Sequence, residues 1–324
     1  LIPGRGNMSR GSRNSLSEIE KERGCSQRPR LEVRAQILQA IRAFFEMNGY
    51  LHVETPCLIP APAPEAHIDA IQAGDHYLQT SPELCMKRLL SAGFSRIFQI
   101  SKCFREKERG TLHLPEFTML EWYRTDIDYR ALMEECQELL LFICGSLHLH
   151  KTVYYGGRNI DFSLPWEKLS VKDAFQNLAS ITVEEALIKD IFDEVMVEEI
   201  EPNLGLSKPM FLFDYPASMA ALARLRKDNR TVAERFEMYI GGLELANGFS
   251  ELNDAGEQRT RFEEERKRRV VSNKPAYPMP EKFLDSLESM PDAAGIALGI
   301  DRLVMVLTNA SSIDQVVAFV PEDL

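Results

Sequence analysis

The stretch from Cys103 to Tyr123, Cys-Phe-Arg-Glu-Lys-Glu-Arg-Gly-Thr-Leu-His-Leu-Pro-Glu-Phe-Thr-Met-Leu-Glu-Trp-Tyr, constrains the fold more than any other part of the chain. It reads as strand, charged loop, strand. On the second strand a period of two puts Phe117, Met119, Glu121 and Tyr123 on one face and Thr118, Leu120 and Trp122 on the other. The second set is the core face. The first carries a carboxylate, and a carboxylate buried on a central strand is costly without a partner, which a cationic ligand would supply. On the incoming strand Ile97, Gln99, Ser101, Cys103 and Arg105 share a face. Arg105 therefore enters the loop beside the same pocket, and cation and anion sites lie side by side.

With 324 residues, 44% of them hydrophobic, the chain suffices for one enzyme-sized domain. A formal charge of -11 argues against gripping a nucleic acid backbone, because counterion release needs clustered Lys and Arg. Six cysteines without CxxC spacing suggest neither zinc nor a disulfide framework, and a reduced cytoplasm fits. No long apolar run or signal-peptide pattern points to a membrane. Leu1 to Asn7, ahead of Met8, read as appended residues, and 1–30 as a polar, mobile arm.

From Leu31 a helix is expected through Ala35, Leu38, Ile41 and Phe45, stopped by Asn48 and Gly49. A strand over Tyr50–Thr55 follows, and the run to Pro64 is too proline-rich for regular structure, so it is a surface or dimer-contact loop. His67–Leu78 reads as two short strands. Ser81 or Thr80 caps a helix through Leu90 with Pro82 in its first turn, where Glu83, taken alone, complements the helix dipole. Residues 128–147 form an amphipathic helix, and Trp166–Glu201 continues an acidic helical insertion spanning about 128–201. His148 and His150 fit an exposed helix end and are assigned no role. Met210–Tyr215 is a strand. Glu257–Arg269 is a solvated helix whose Glu263, Glu264 and Glu265 each precede a cation by four residues.

Two further constellations carry chemistry. In Gly241–Glu251 a bend at Asn247-Gly248 would bring Glu244 and Glu251 together, and two carboxylates beside a phosphate-binding arginine suit magnesium; unrelated charges at a strand end are the alternative. In Gly295-Ile-Ala-Leu-Gly-Ile-Asp-Arg, small Gly295, Ala297 and Gly299 line one face, so a ligand can lie on the backbone. Asp301 then caps a helix and Arg302 stands at the junction, able to reach a phosphate or a base. Tight helix-on-sheet packing explains the glycines but not the arginine. No GxxxxGK[ST] or GxGxxG occurs, so any ATP site lacks a P-loop or Rossmann turn.

Together these stretches resemble class II aminoacyl-tRNA synthetases, the lysyl enzymes most closely. Gly49–Pro56 is similar to motif 1, Phe104–Tyr123 to motif 2 and Gly295–Leu307 to motif 3, in order across about residues 31 to 320. The resemblance implies an α+β catalytic core over 31–324, an antiparallel sheet flanked by helices, with ATP, Mg2+ and a homodimer. It implies that Arg105 and Arg302 are catalytic and that ATP lies over Arg105, Glu108, His113, Phe117, Glu244, Leu245, Gly299 and Arg302. Glu244 and Glu251 would hold the metal. The amino acid would lie over Ser81, Pro82, Glu83, Glu121, Tyr123, Ala246, Asn247, Glu251 and Ala297.

No anticodon-binding domain is expected, because only the arm precedes Leu31, so tRNA is not the expected acceptor. Ala246 and Ala297, where lysyl-tRNA synthetases carry glycines, and Leu-Pro-Glu-Phe-Thr-Met-Leu-Glu-Trp-Tyr are similar to the truncated members of the family that attach (R)-β-lysine to elongation factor P. The expected chemistry is ATP-dependent activation of (R)-β-lysine and its transfer to that protein. Both alanine methyls would crowd the α-amino group of L-lysine. Within motif 2, Lys107 stands where the family usually has Glu, and Leu114 replaces an Asn. The rivals are an L-lysine-activating enzyme, an asparagine synthetase, whose acidic substrate Glu83 and Glu121 would repel, and a silent nucleotide- or amino-acid-binding paralogue.

Overall fold

The computed structural model describes residues 16–324 apart from His150, with side chains from Gln27 onward. Residues 1–15 of the expected arm, and His150, lie outside the described residues. Helix α1 (Leu16–Met47) leads into β1 (Leu51–His52), then a small sheet of β2 (Leu58–Ile59), β3 (Gln72–Ala73) and β4 (His76–Leu78). Then come α2 (Glu83–Ser91), β5 (Arg96–Phe104), β6 (Glu116–Thr125) and α3 (Tyr129–Ser146). A hairpin of β7 (Thr152–Tyr155) and β8 (Arg158–Asp161) and strand β9 (Glu167–Ser170) precede the short helices α4 (Val171–Leu178), α5 (Val183–Ile188) and α6 (Phe192–Val195). The chain continues through β10 (Met210–Pro216), β11 (Val232–Ile240), β12 (Leu243–Ser250), α7 (Ala255–Val271), α8 (Glu281–Leu287), β13 (Ala293–Gly299) and α9 (Ile300–Leu307).

The main sheet runs β1-β5-β6-β13-β12-β11-β10-β9. Its central pairs are antiparallel; only the edge pairs, β1 with β5 and β9 with β10, are parallel. One face is buried under α1, α3 and α9, where Phe45, Trp122, Cys136, Leu298 and Val304 are fully enclosed. On the other face Met86 of α2, Phe262 of α7 and Phe283 of α8 pack on Ile97 and Tyr123, leaving a hollow over the central strands. Among the described residues no helix is long and apolar enough to cross a membrane.

Several elements differ from expectation. The first helix begins at Leu16 and carries Pro29 within it. Its Glu-, Lys- and Arg-rich early turns favour helix, and Gln27 donates to the Asp314 carbonyl at 3.1 Å, so this part of the expected arm is tied to the domain. The proline-rich run contains β2. The insertion is not helical throughout: Thr-Val-Tyr-Tyr and Arg-Asn-Ile-Asp flank Gly156-Gly157, both at positive φ, the requirement of a tight hairpin turn. The solvated helix α7 hides one cation completely, since Arg269 is fully buried and bonds backward rather than along the helix.

Candidate active site

The hollow is floored by one face of four strands, β6, β13, β12 and β11, and the register shows why these side chains meet. Directly opposed residues share a face, and Ala297 opposes both Glu121 and Asn247, Gly295 opposes Tyr123 and Phe249, and Gly299 opposes Met119. Gln99 and Cys103 of β5 oppose Glu121 and Phe117. Gly295 is required: a Cβ there would lie 2.2 Å from the Tyr123 ring and 2.6 Å from Glu251. The resulting cavity is about 380 Å³.

Its deep end is acidic. The Glu121 carboxylate, 1% exposed, accepts hydrogen bonds from Ser81 Oγ at 2.6 Å and Tyr123 Oη at 2.8 Å. Burial, then Glu83 nearby, pushes its pKa up to about 7. Among the described residues no cation bonds it. Ser81 Oγ also accepts from the Glu83 amide at 3.0 Å, so the expected helix start is also part of the site. Beside it on α2, Lys87 lies 2.5 Å from both Glu83 and Glu251, and its pKa is raised because these carboxylates outweigh burial. Glu251 Oε1 has no hydrogen-bond partner, and burial raises the carboxyl to about 8. Lys87 was not expected here; its spacing of four from Glu83 was the available signal.

The mouth carries the arginines. Arg105 lies 5.1 Å over the Phe117 ring and 3.8 Å from Glu108. Arg302 donates to the Glu244 carbonyl at 2.8 Å, approaches its carboxylate at 3.3 Å, and donates to His113 Nε2 at 2.7 Å. Burial, then Arg302, lowers the His113 pKa. Asp301 does not cap α9, whose cap position is Gly299; it is buried in the first turn, accepting from Arg34 at 2.6 Å and the Thr118 amide at 2.7 Å. The helix bearing Arg302 is thereby fastened to β6 and α1.

The expected pairing of Glu244 with Glu251 is corrected. The irregularity in β12 is a bulge at Leu245, opposite the Met238–Tyr239 step, rather than a bend at Asn247-Gly248. The bulge turns Glu244 onto the ligand face, while Glu251, beside Gly295 and Tyr123 on the same face, is bonded to Lys87 instead. The carboxylate near Glu244 is Glu237 of β11, held by Arg235 at 2.6 Å and Tyr239 Oη at 2.6 Å. Burial, then Glu237, raises Glu244 to about 7. Sequence reasoning missed β11, although Val-Ala-Glu-Arg-Phe-Glu-Met-Tyr-Ile alternates as a strand should.

Ala246 opposes Leu298 and Met238 and belongs to the core, so its methyl points away from the cavity and only its backbone reaches the wall. Ala297 alone presents a methyl to the ligand face. Pro82 and Glu251 do not line the cavity, whereas Ser81, Glu83, Arg105, Glu108, His113, Phe117, Glu121, Tyr123, Glu244, Leu245, Asn247, Ala297, Gly299 and Arg302 do. Glu65 and Arg235 also line it and were not foreseen. Among the described residues no group of three or more His, Cys, Asp or Glu side chains is arranged to hold a metal by itself.

The family model for tRNA synthetases class II (D, K and N) matches residues 19–323. The chain is 40% identical over 303 residues to the elongation factor P–(R)-beta-lysine ligase of Hamiltonella defensa, covering 88% of this chain and 93% of that protein. It is likewise 40% identical over 320 residues, 94% of this chain and 98% of the relative, to the protein of that name from Proteus mirabilis. The ligase of Salmonella gallinarum is 40% identical over 309 residues, 90% of this chain and 94% of the relative.

Proposed function

Because the chain belongs to the class II tRNA synthetase family of the D, K and N type, beside the elongation factor P–(R)-β-lysine ligases, we propose that it activates (R)-β-lysine with ATP and transfers it to a lysine side chain of elongation factor P. The observation that carries this reading is the polarity of one cavity, with Arg105 and Arg302 at its mouth and the hydroxyl-bonded carboxylate of Glu121 at its end. A diamine is the complement of that end. A triphosphate is the complement of the mouth.

In the first step a substrate carboxylate oxygen attacks the α-phosphorus and pyrophosphate leaves; in the second, the acceptor amine attacks the acyl carbon and AMP leaves. No protein nucleophile is needed. Arg105 and Arg302 neutralise charge on the phosphates, and the pocket aligns the carboxylate. Arg302 must exchange its contacts with Glu244 and His113 for the nucleotide. Magnesium fits here as a companion of the phosphates: Glu244, backed by Glu237, offers the carboxylate foothold such an ion takes beside phosphate oxygens. When bound it would supply further neutralisation of phosphate charge. Arg105→Ala is expected to cost on the order of 3 kcal/mol in the activation step. Exposed Met47 and Leu51, at the end of α1 and on β1, support a second copy docking at the motif 1 segment.

The testing measurement is amino-acid-dependent ATP–pyrophosphate exchange with (R)-β-lysine, L-α-lysine and L-aspartate. Exchange led by (R)-β-lysine is expected. Preference for L-α-lysine would favour a tRNA-charging relative, and ATP binding without exchange would favour a silent paralogue.

A further inference from the structure

We propose that Glu65, which follows the proline-rich run and lines the cavity, receives the second ammonium group of the substrate, the one nearer its carboxylate, and so helps set the preference for a diamino acid. The proposal rests on the reading of the substrate as (R)-β-lysine. Its basis is an accounting of the carboxylates around the cavity. Glu83 is held by Lys87, Glu108 faces Arg105, Glu244 faces Arg302, and Asp301 is bonded to Arg34. Two carboxylates of the lining have no cation bonded to them among the described residues. One is Glu121, which has only hydroxyl partners; the other is Glu65, whose carboxylate makes no hydrogen bond or ion pair. The substrate brings two ammonium groups, one for each.

The positions assign which goes where. Glu121 is fully enclosed between Ser81 and Tyr123, so it suits the terminal ammonium at the far end of the aliphatic chain. Glu65 is half-buried and lines the cavity together with Arg105 and Arg235, so it suits the ammonium nearer the reacting carboxylate. Its backbone is not free to swing. Arg269 donates to the carbonyls of Glu65 at 2.8 Å and Ile68 at 2.9 Å and to Asp69 at 3.0 Å. Glu265 accepts from the Ala66 amide at 2.8 Å, Lys274 donates to the Ala66 carbonyl at 3.1 Å, and Tyr277 Oη accepts from the Ala70 amide at 2.7 Å. A segment fastened so firmly at its backbone, with one unpartnered carboxylate turned into the cavity, is a pre-organised cation acceptor.

The test uses the full chain and its Glu65→Gln variant, which keeps the shape and removes the charge, with thermal unfolding as a check on folding. In pyrophosphate exchange the KM for (R)-β-lysine is expected to rise tenfold or more, while KM for ATP and the rate at saturating amino acid stay within twofold. Inhibition by 6-aminohexanoate, which keeps the terminal amine and lacks the second, is expected to be unchanged. Glu65→Asp should recover part of the loss. A KM for (R)-β-lysine that moves less than twofold, or a parallel rise in KM for ATP or in the 6-aminohexanoate inhibition constant, overturns the assignment. Failure of the wild-type protein to exchange with (R)-β-lysine would instead overturn the underlying substrate reading, so the two failures are separate.

Discussion

At the residue scale, the register of two strands decides a question of specificity that composition leaves open. Ala246 and Ala297 look equivalent in the sequence, each an alanine in a stretch of small residues. Cross-strand pairing separates them: Ala297 opposes Glu121 on the ligand face, and Ala246 opposes Leu298 in the core. Ala297→Gly is therefore expected to shift the ratio of exchange rates from (R)-β-lysine towards L-α-lysine by roughly 1 to 3 kcal/mol, the worth of one methyl in a fitted pocket. Ala246→Gly should leave that ratio alone and cost about 1 kcal/mol of stability, from a lost buried methyl and a looser strand. If Ala246→Gly shifted the ratio as much as Ala297→Gly, the faces deduced from the register would be wrong. What misled the linear reading was one extra residue, the Leu245 bulge, which shifts the alternation and carries Glu244 onto the ligand face.

At the element scale, legibility followed how locally each element is specified. The strands β5 and β6 were readable, down to which face Glu121 and Trp122 occupy, because alternation is a local property. Helix α3 was readable from its apolar stripe, and the structure adds its Asp128 cap. The hairpin β7–β8 and strand β11 also had local signals, but the acidic helices beside the one and the charged residues within the other masked them. The role of Arg269 had no local signal at all. It stands in a run of charges that predicts solvent, and its partners lie some two hundred residues earlier, on the segment 65–69. Its burial beneath Tyr277, with the guanidinium 3.9 Å from the ring centroid, makes it the main fastening between α7 and that segment. Arg269→Met should cost roughly 3 kcal/mol or more, because Asp69 and the Glu65 and Ile68 carbonyls lose their donor. Hydrogen exchange should locate the damage, with the Ala66 and Ala70 amides losing protection more than those of β5 or β6. Uniform loss across the domain would mean that Arg269 supports the global fold and not this segment in particular.

At the scale of the whole molecule, the site stores a charge problem that a ligand resolves. Glu65, Glu121 and Glu244 are each raised to about 7 and Glu251 to about 8, in every case first by burial. An unfolded carboxyl titrates near its ordinary value of about 4. Between that value and 7 to 8, the folded protein binds more protons than the unfolded chain, so stability falls as pH rises through this window. The stabilising contribution of these groups is complete below the unfolded pKa and is lost above the folded one. A diammonium ligand reverses the sign. It favours the ionised carboxylates, so below about pH 7 its binding must release protons, and its affinity must increase as pH rises towards that value. The unfolding temperature of the free protein is thus expected to drop between pH 5.5 and 8, while the increment conferred by saturating (R)-β-lysine grows over the same range. Calorimetric titration near pH 6.5 in two buffers of different ionisation enthalpy should register net proton release. Proton uptake, or a ligand-induced increment that shrinks with rising pH, would mean that the buried carboxylates are not the groups that receive the ammonium charges, and the diamine assignment of the cavity would fall with them.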